Sequence, residues 1–462
     1  MKNRIQKMFQ QRKRIYALLS CAVFMFCFSS ATMAQNKDGD TYSFSLQQCI
    51  EYAYQNQAKV LNAQLDEKIS KSKVNELIGS GLPQLNSSFD IKDFVKLPVQ
   101  LIPGEFFGGR PGTFIPVTFG TRYNATADLT ASQLLFDGTY LVGLQASKTY
   151  YELSQKSTTR TKIEAAAGVS KAYFSVLVTA EKINLIDANV ARLKKLMDDT
   201  KAMYDNGFVE KIDLDRITVA YNNLLVEKEK IMRYTALSYN LLKFQMGMDQ
   251  KTVLTLTDKL NSLESITKDQ KTDGFDITKR IEYSLMETNR RLGELDLKRY
   301  KFGYLPSLVA YGDLSAAAYR SKFDITDTKQ RWFPTGLIGA KITLPIFDGF
   351  QKHERVVQAK LALQKIDNQK KDLENALNLQ LISAKTSFDN SAENLKVQKA
   401  NIELAENVYN VSKKKYEQGV GSNLEVVTAQ TSLKEAQDNY YSALYDVLIA
   451  KVDLDIALGN IK

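Results

Sequence analysis

The stretch "SQLLFDGTYLVGLQASK" (residues 132–148) returns in altered form as "ITLPIFDGFQKHERVVQAK" (residues 342–360). Each holds an apolar run, then Phe-Asp-Gly, then a sequence free of proline. Two more landmarks recur in the same order. Gly81-Leu82-Pro83 returns as Tyr304-Leu305-Pro306, and Tyr204-Asp205-Asn206-Gly207 returns as Tyr416-Glu417-Gln418-Gly419. Ordered self-similarity of this kind marks an internal duplication.

Both copies parse into the same elements. An amphipathic helix comes first, over 45–80 and 276–303. Two alternating strands follow, about 82–95 and 121–136 in the first copy, about 305–319 and 332–347 in the second. A very long helix, a glycine turn and a shorter helix complete each copy. The first repeat spans 35–249 and the second 276–462; the polar segment 250–275, rich in Lys, Asp and Thr, links them. The first copy carries a longer insert between its strands, 96–121, rich in Gly, Pro and Phe.

The strands alternate with period two, so each presents two unlike faces. Leu85, Ser87, Phe89 and Ile91 oppose Asn86, Ser88, Asp90 and Lys92. Ala125, Ala127, Leu129 and Ala131 oppose Asn124, Thr126, Asp128 and Thr130. Ile338, Ala340, Ile342 and Leu344 oppose Leu337, Gly339, Lys341 and Thr343, whereas 307–319 alternates poorly. A β-sandwich with one wet face has this pattern, and so does a membrane barrel, apolar outward and polar inward. The barrel fits better, since these four are the only strands expected and nothing else of β pattern is left to cover the apolar faces. Asp90, Lys92, Asp128 and Lys341 then become solvated lumen residues. Tyr123, Trp332 and Phe333 stand at strand starts, as interfacial aromatics or as ordinary strand-end residues.

Four strands cannot close a membrane barrel, since the smallest use about eight. An open edge in lipid leaves unpaired N–H and C=O groups. The barrel reading therefore demands that several chains share one barrel.

From Gly138 to Asn206 there is no proline, and a continuous helix of about 68 residues spans roughly 100 Å. Phe350 to Gln418 is its companion. In the last helix Ala429, Leu433, Ala436, Tyr440, Ala443, Val447, Ala450, Leu454 and Ala457 step by four and three. Leu377, Leu381, Ala384, Phe388, Leu395, Ile402, Ala405 and Tyr409 keep the same frame in the preceding helix, which predicts an antiparallel coiled coil. Gly207 and Gly419 suit the left-handed residue that ends a helix. Ser422 and Glu425 have the spacing of a capping box. Asp137 and Asp348 are placed to cap the two long helices, with Gly138 and Gly349 letting the backbone bend.

The chain opens with a basic stretch, an apolar run too short to span a membrane and small residues before Gln35, the order of a secretory signal. Cleavage after Ala34 removes six Lys/Arg and no acid, taking the formal charge from +10 to +4. The basic balance is thus mostly the signal, and it implies no nucleic-acid partner. Leu18-Leu19-Ser20-Cys21 looks like a lipidation site, but Cys21 lies inside the apolar run and not at its end. Cys21 and Cys27 leave with the signal, so Cys49 has no internal disulfide partner.

With these residues in view the chain resembles the TolC-like outer-membrane efflux proteins. The resemblance is carried by "SLQQCIEYAYQNQAKVLNAQLDEKISKSKVNELIGSGLPQLN", by the two Phe-Asp-Gly hinges, and by "YEQGVGSNLEVVTAQTSLKEAQDNYYSALYDVLIAKVDLDIALGN". It implies an α+β membrane protein in which three chains share a twelve-stranded barrel continuing into an α-helical periplasmic tunnel. It implies a passive channel in outer-membrane lipid, working with a periplasmic membrane-fusion adaptor and an inner-membrane pump of the RND or ABC type, for efflux or type I secretion. By position, Glu425 and Asp213 match the acidic residues that narrow the family's periplasmic gate. The next acidic position is Thr428 here, a departure that weakens an acidic ring. Both acids also have local roles, Glu425 in the capping box and Asp213 at a helix start. Tyr204, Gly207, Tyr416, Gly419 and Gly421 match the helix tips that meet the adaptor.

The rival classes are weaker. His353, the single histidine, lies on the polar start of a long helix, and no metal-spaced cluster or phosphate loop accompanies it, so no catalytic residue, metal or cofactor is expected. A periplasmic adaptor or stalk would use the coiled coils but has no need of alternating strands in both copies.

Overall fold

The computed structural model describes residues 41–260, 275–325, 327 and 329–461. The expected signal, Cys21 and most of the expected linker lie outside them. In chain order the elements are β1 (Thr41–Phe44), α1 (Leu46–Asn56), α2 (Ala58–Ser80), β2 (Gln84–Asp93), β3 (Val99–Pro103), β4 (Phe114–Thr118), β5 (Tyr123–Phe136), α3 (Gly138–Asp205) and α4 (Lys211–Met246). After β6 (Val253–Leu256) come α5 (Ile281–Phe302), β7 (Ser307–Arg320), β8 (Phe333–Thr343), α6 (Gln351–Glu417) and α7 (Asn423–Leu458). Thr41–Ser43 and Lys251–Thr255 form a small unit of their own, where the Thr255 hydroxyl donates to the Tyr42 carbonyl at 3.2 Å.

The fold is α+β and duplicated. The helix expected over 45–80 breaks at Gln57, whose ψ of 124° is extended. A capping box between Ser45 and Gln48 starts its first half. The long helices are continuous, 68 residues in α3 and 67 in α6. Helix α3 packs along α4 and α6 along α7, and α3 also meets α5 and α7. Leu433, Ala443, Val447, Leu454 and Ala457 of the seam are buried, as are Leu377, Phe388 and Tyr409 of α6. Helix α7 buries a second stripe as well, including Leu444, Leu448 and Val452. That helix is enclosed on two sides, so one heptad seam describes only half of its burial.

The core is densest along α3, where Ala165, Ala166, Val169, Ala172, Tyr173 and Val176 are all buried. Small residues there let neighbouring helices approach closely. Tyr173 donates to Asp258 at 2.7 Å, and the same carboxylate oxygen accepts from the Leu46 amide at 3.1 Å, an otherwise orphan donor at the start of α1. Arg280, 2% exposed, donates to the Ala457 carbonyl at 2.9 Å and to Gln380 at 3.1 Å. One guanidinium thus satisfies the last turn of α7 and ties it to α6.

Four strands form one antiparallel sheet in the order β2-β5-β7-β8, leaving β2 and β8 as open edges. Strand β7 forms despite its poor alternation and supplies a central strand. Strand β8 ends at Thr343, where its partner β7 begins at Ser307, four residues short of the expected Phe347. An edge strand stops where its only ladder partner stops.

Candidate functional site

The pairing register aligns the two faces across all four strands. Phe89 pairs with Ala127, Ala127 with Ala316, and Ala316 with Pro334, which makes one apolar row. Ser88 pairs with Asp128, Asp128 with Ser315, and Ser315 with Thr335, which makes the adjoining polar row. Leu85, Phe89, Leu314, Ile338 and Ile342 on the apolar face are exposed. On the polar face Lys92 and Asp90 pair at 3.0 Å, Ser88 donates to Asp128 at 3.3 Å, and Thr130 donates to Asp313 at 2.8 Å. Lys341 lies on the same face, opposite Val309. The four expected lumen residues therefore share a face, and Asp313 joins them. Indexing 307–319 from Leu314 would have found it.

The Phe-Asp-Gly hinges are not copies in three dimensions. In the first, Asp137 is the N-cap of α3 and accepts from the amides of Thr139 at 2.7 Å and Tyr140 at 2.9 Å. Burial pushes the Asp137 carboxyl up, but these bonds and one from the Thr139 hydroxyl outweigh it and hold it below its ordinary value. Gly138 is buried, and a Cβ there would lie 3.1 Å from both Leu305 Cδ1 and the Phe302 carbonyl. In the second hinge Asp348 is not the N-cap. Helix α6 starts later, at Gln351, with Phe350 as N-cap; Asp348 accepts from the Lys352 amide at 3.1 Å. Gly349 and Phe350 are consecutive left-handed residues, with φ of 65° and 66°. Phe350 is the sole non-glycine residue with positive φ among the described residues. The expectation of equivalent caps is corrected: the early end of β8 leaves chain for a left-handed kink.

At the other end of the long helices, both tips close with the same hydrogen-bond pattern. Phe208 donates to the Met203 carbonyl and Gly207 to that of Tyr204; Val420 donates to Lys415 and Gly419 to Tyr416. These are paired Schellman motifs, with Gly207 and Gly419 left-handed. Ser422 caps α7 by accepting from the Glu425 amide at 3.2 Å. The reciprocal bond, from the Ser422 amide to the Glu425 carboxylate, is missing, so the expected capping box is only half made. Glu425 and Thr428 are exposed, and Asp213 pairs with Arg216 at 3.4 Å.

The two tips meet inside one chain. Asn423 donates to the Asp213 carbonyl at 3.3 Å, and the hydroxyls of Thr200 and Tyr416 lie 3.3 Å apart. Tyr416 is buried beside Leu196, Ile217 and Val426. It belongs to the interior, which corrects its assignment as a surface contact; Tyr204 is exposed. A cleft of about 730 Å³ opens between the tips, lined by Met203, Asn206, Phe208, Tyr416, Gly419 and Gly421 among others. Phe208 is exposed in its wall, and Val420, Ile212 and Leu424 are further exposed apolar residues in the tip segments. Higher up, Asn189 bonds Gln437 at 3.0 Å and Gln430 at 3.2 Å in a buried polar link between α3 and α7. Sequence reasoning missed Asn423 and this link, because amides on a helix carry no periodic signal.

Residues 302–460 match the family model for outer membrane efflux proteins. The match takes in the end of α5, both strands of the second repeat, and α6 and α7. The fold of the whole is TolC-like. The CusC structure superposes with a TM-score of 0.73 at 16% identity, covering 90% of this chain and 92% of that one; its description concerns transmembrane channel formation. The outer membrane protein VceC of Vibrio cholerae gives 0.70 at 15%, covering 90% and 96%. The MtrE outer membrane channel of Neisseria gonorrhoeae, in its open state, gives 0.67 at 16%, covering 90% and 88%. No curated protein sequence matches the chain. No group of metal-ligating side chains, and no helix long and apolar enough to cross a membrane, occurs among the described residues.

Proposed function

We propose that three copies of this chain share one twelve-stranded barrel in the outer membrane, and that their long helices form the periplasmic tunnel beneath it. The assembly is a passive exit duct of an efflux or type I secretion system, fed by an inner-membrane pump of the RND or ABC type through a periplasmic adaptor. One observation carries this reading. A four-stranded sheet with an exposed apolar face, a polar face and two open edges is unfit for water and unfit for lipid alone. Joining β8 of one copy to β2 of the next removes both defects at once. The likeness to CusC, VceC and MtrE supports the same architecture.

In this reading Asp90, Lys92, Asp128, Asp313 and Lys341 wet the lumen. The hinges at Asp137-Gly138 and Asp348-Gly349 mark the turn from barrel to tunnel. Asp213 and Glu425 narrow the periplasmic end, with Thr428 leaving that ring less acidic. The tips around Tyr204, Gly207, Gly419 and Gly421 meet the adaptor, with the exposed Phe208 and Val420 as its apolar contacts.

Planar-bilayer recording of the purified oligomer tests the duct and the gate together. The duct predicts ohmic ion conductance. Asp213→Ala with Glu425→Ala is expected to raise the conductance and lower cation preference. No conductance would refute the channel; conductance and selectivity unchanged by the double substitution would refute the gate.

A further inference from the structure

The helices stand in the same order as the strands. Helix α2 leads into β2, α3 leaves β5, α5 leads into β7 and α6 leaves β8. Their packing repeats the strand order: α2 lies along α3, α3 along α5, and α5 along α6. Further from the sheet the order is α4, α3, α7 and α6. Neither α2 nor α4 has comparable packing on α6 of its own chain. Helix α6 is therefore one edge of the helical layer, and α2 and α4 share the other.

Both edges carry apolar residues that stand exposed. Helix α4 buries Ile217 and Leu224, whereas Val219 and Val226, two residues further on, are 60% and 68% exposed. Helix α6 buries Leu395 and Tyr409, whereas Val397 and Val411, again two residues on, are exposed, as are Leu404 and Val408 between them. Two residues along a helix make a turn of about 200°, so each stripe points away from the packing its helix already has. A surface helix with one side to cover needs one apolar face. Opposed apolar faces on both edge helices call for a second partner on each.

Two contacts set the level of one edge against the other. The hydroxyls of Thr200 and Tyr416 bring α3 level with α6, and the Asp187–Lys228 ion pair, 2.7 Å, does the same for α3 and α4. A copy rotated about an axis along the helices keeps these levels. Its α4 then meets α6 of the first copy in antiparallel sense, with Val226 between Leu404 and Val408, and Val219 beside Val411. Asp215 of that α4 comes level with Lys414 and Lys415, all three exposed, so the charges agree with the apolar match.

We infer that α4 of one copy and α6 of the next pack as an antiparallel apolar seam, centred on Val226 against Leu404 and Val408. The contact is head-to-tail, and three such contacts close a ring. Strand closure joins copies only at the sheet. This seam carries the wall between copies down toward the tips, and the Asp215 charge fixes its register. The inference rests on the shared-barrel reading.

Two differently tagged chains, one carrying Val226→Cys and the other Leu404→Cys, are co-expressed, and their outer membranes are treated with a short bis-maleimide. The expected product is a covalent pair bearing both tags, absent when either cysteine is omitted. Asp215→Lys is expected to lower the temperature at which the unboiled oligomer falls to monomers on a detergent gel. Adding Lys414→Glu and Lys415→Glu to it is expected to restore that temperature. An intact oligomer with no cross-link between the tagged chains overturns the seam and leaves the shared barrel standing. A cross-link confined within one chain carrying both cysteines, or one that captures only a different protein, likewise overturns it. A triple variant no more heat-resistant than Asp215→Lys overturns the register. A purely monomeric protein overturns both the seam and the barrel.

Discussion

The side-chain amide of Asn423 reaches the backbone carbonyl of Asp213 at 3.3 Å, so the turn that starts α7 is bonded to the turn that starts α4. Asn423 is buried, and its own side-chain oxygen has no partner. Two repeats written far apart in sequence are thereby joined at their tips, beside the cleft lined by Phe208 and Gly419.

Asn423→Ala should loosen this join by about 1–2 kcal/mol, the range for a lost bond that strands a buried group. Asn423→Asp should cost more, because it places a charge where only a carbonyl waits. Limited proteolysis near Gly207 and Gly419, with thermal unfolding, checks both. Equal behaviour of the two variants would contradict the burial argument.

The hinge glycines should fail for different reasons. Gly138→Ala meets Leu305 and the Phe302 carbonyl, and overpacking of that kind costs about 1–3 kcal/mol. Gly349 has open space but a φ of 65°, so Gly349→Ala costs about 1–2 kcal/mol in backbone strain. Asparagine tolerates that conformation better. Gly349→Asn is expected to recover most of the loss, whereas Gly138→Asn is expected to be worse than Gly138→Ala. Melting temperatures of the four variants decide it.

What the residues disclosed in advance follows a physical pattern. The seam through Leu433, Val447 and Leu454 was legible because small and large residues alternate in one frame. The polar face through Asp90 and Asp128 was legible from period two. Strand β7 was obscure because Ala316-Ala317-Ala318 is neutral to face, and only its register against β5 sorts them. The two Phe-Asp-Gly hinges look alike in sequence and differ in space, because the length of β8 is set by where β7 begins. Arg280 gave no signal, since its partners lie at Gln380 and Ala457, far along the chain. The two faces of the sheet and the glycine turns at the helix ends could be placed from sequence, but the bonds between repeats could not.

Cys49 is fully buried, and burial, with the nearby Asp258 charge adding to it, pushes its thiol up to about 12. Only the thiolate reacts readily. In a chain beginning at Gln35, alkylation at pH 8 is expected to be negligible in the folded protein and complete after denaturation. Mass spectrometry over an hour separates the outcomes; rapid labelling of native protein would contradict the burial.

The Glu282 carboxylate pairs with Arg280 at 3.0 Å. Burial pushes that carboxyl up, but the hydrogen bond from Arg280 helps hold it below its ordinary value. A carboxyl whose folded value is depressed adds stability above the unfolded glutamate value of about 4.3 and loses it as pH falls through the folded value. Thermal stability should therefore be level from neutral pH to about pH 5 and fall below about pH 4. Glu282→Gln should flatten part of that fall and lower the plateau. A plateau unchanged by the substitution would contradict the role given to this pair.

The central claim is that one chain is a third of a barrel. The most direct measurement is the mass of the detergent-solubilised particle by native mass spectrometry. Three copies per particle, stable until the sample is boiled, is the predicted result. A single copy that stays in solution without detergent would contradict it.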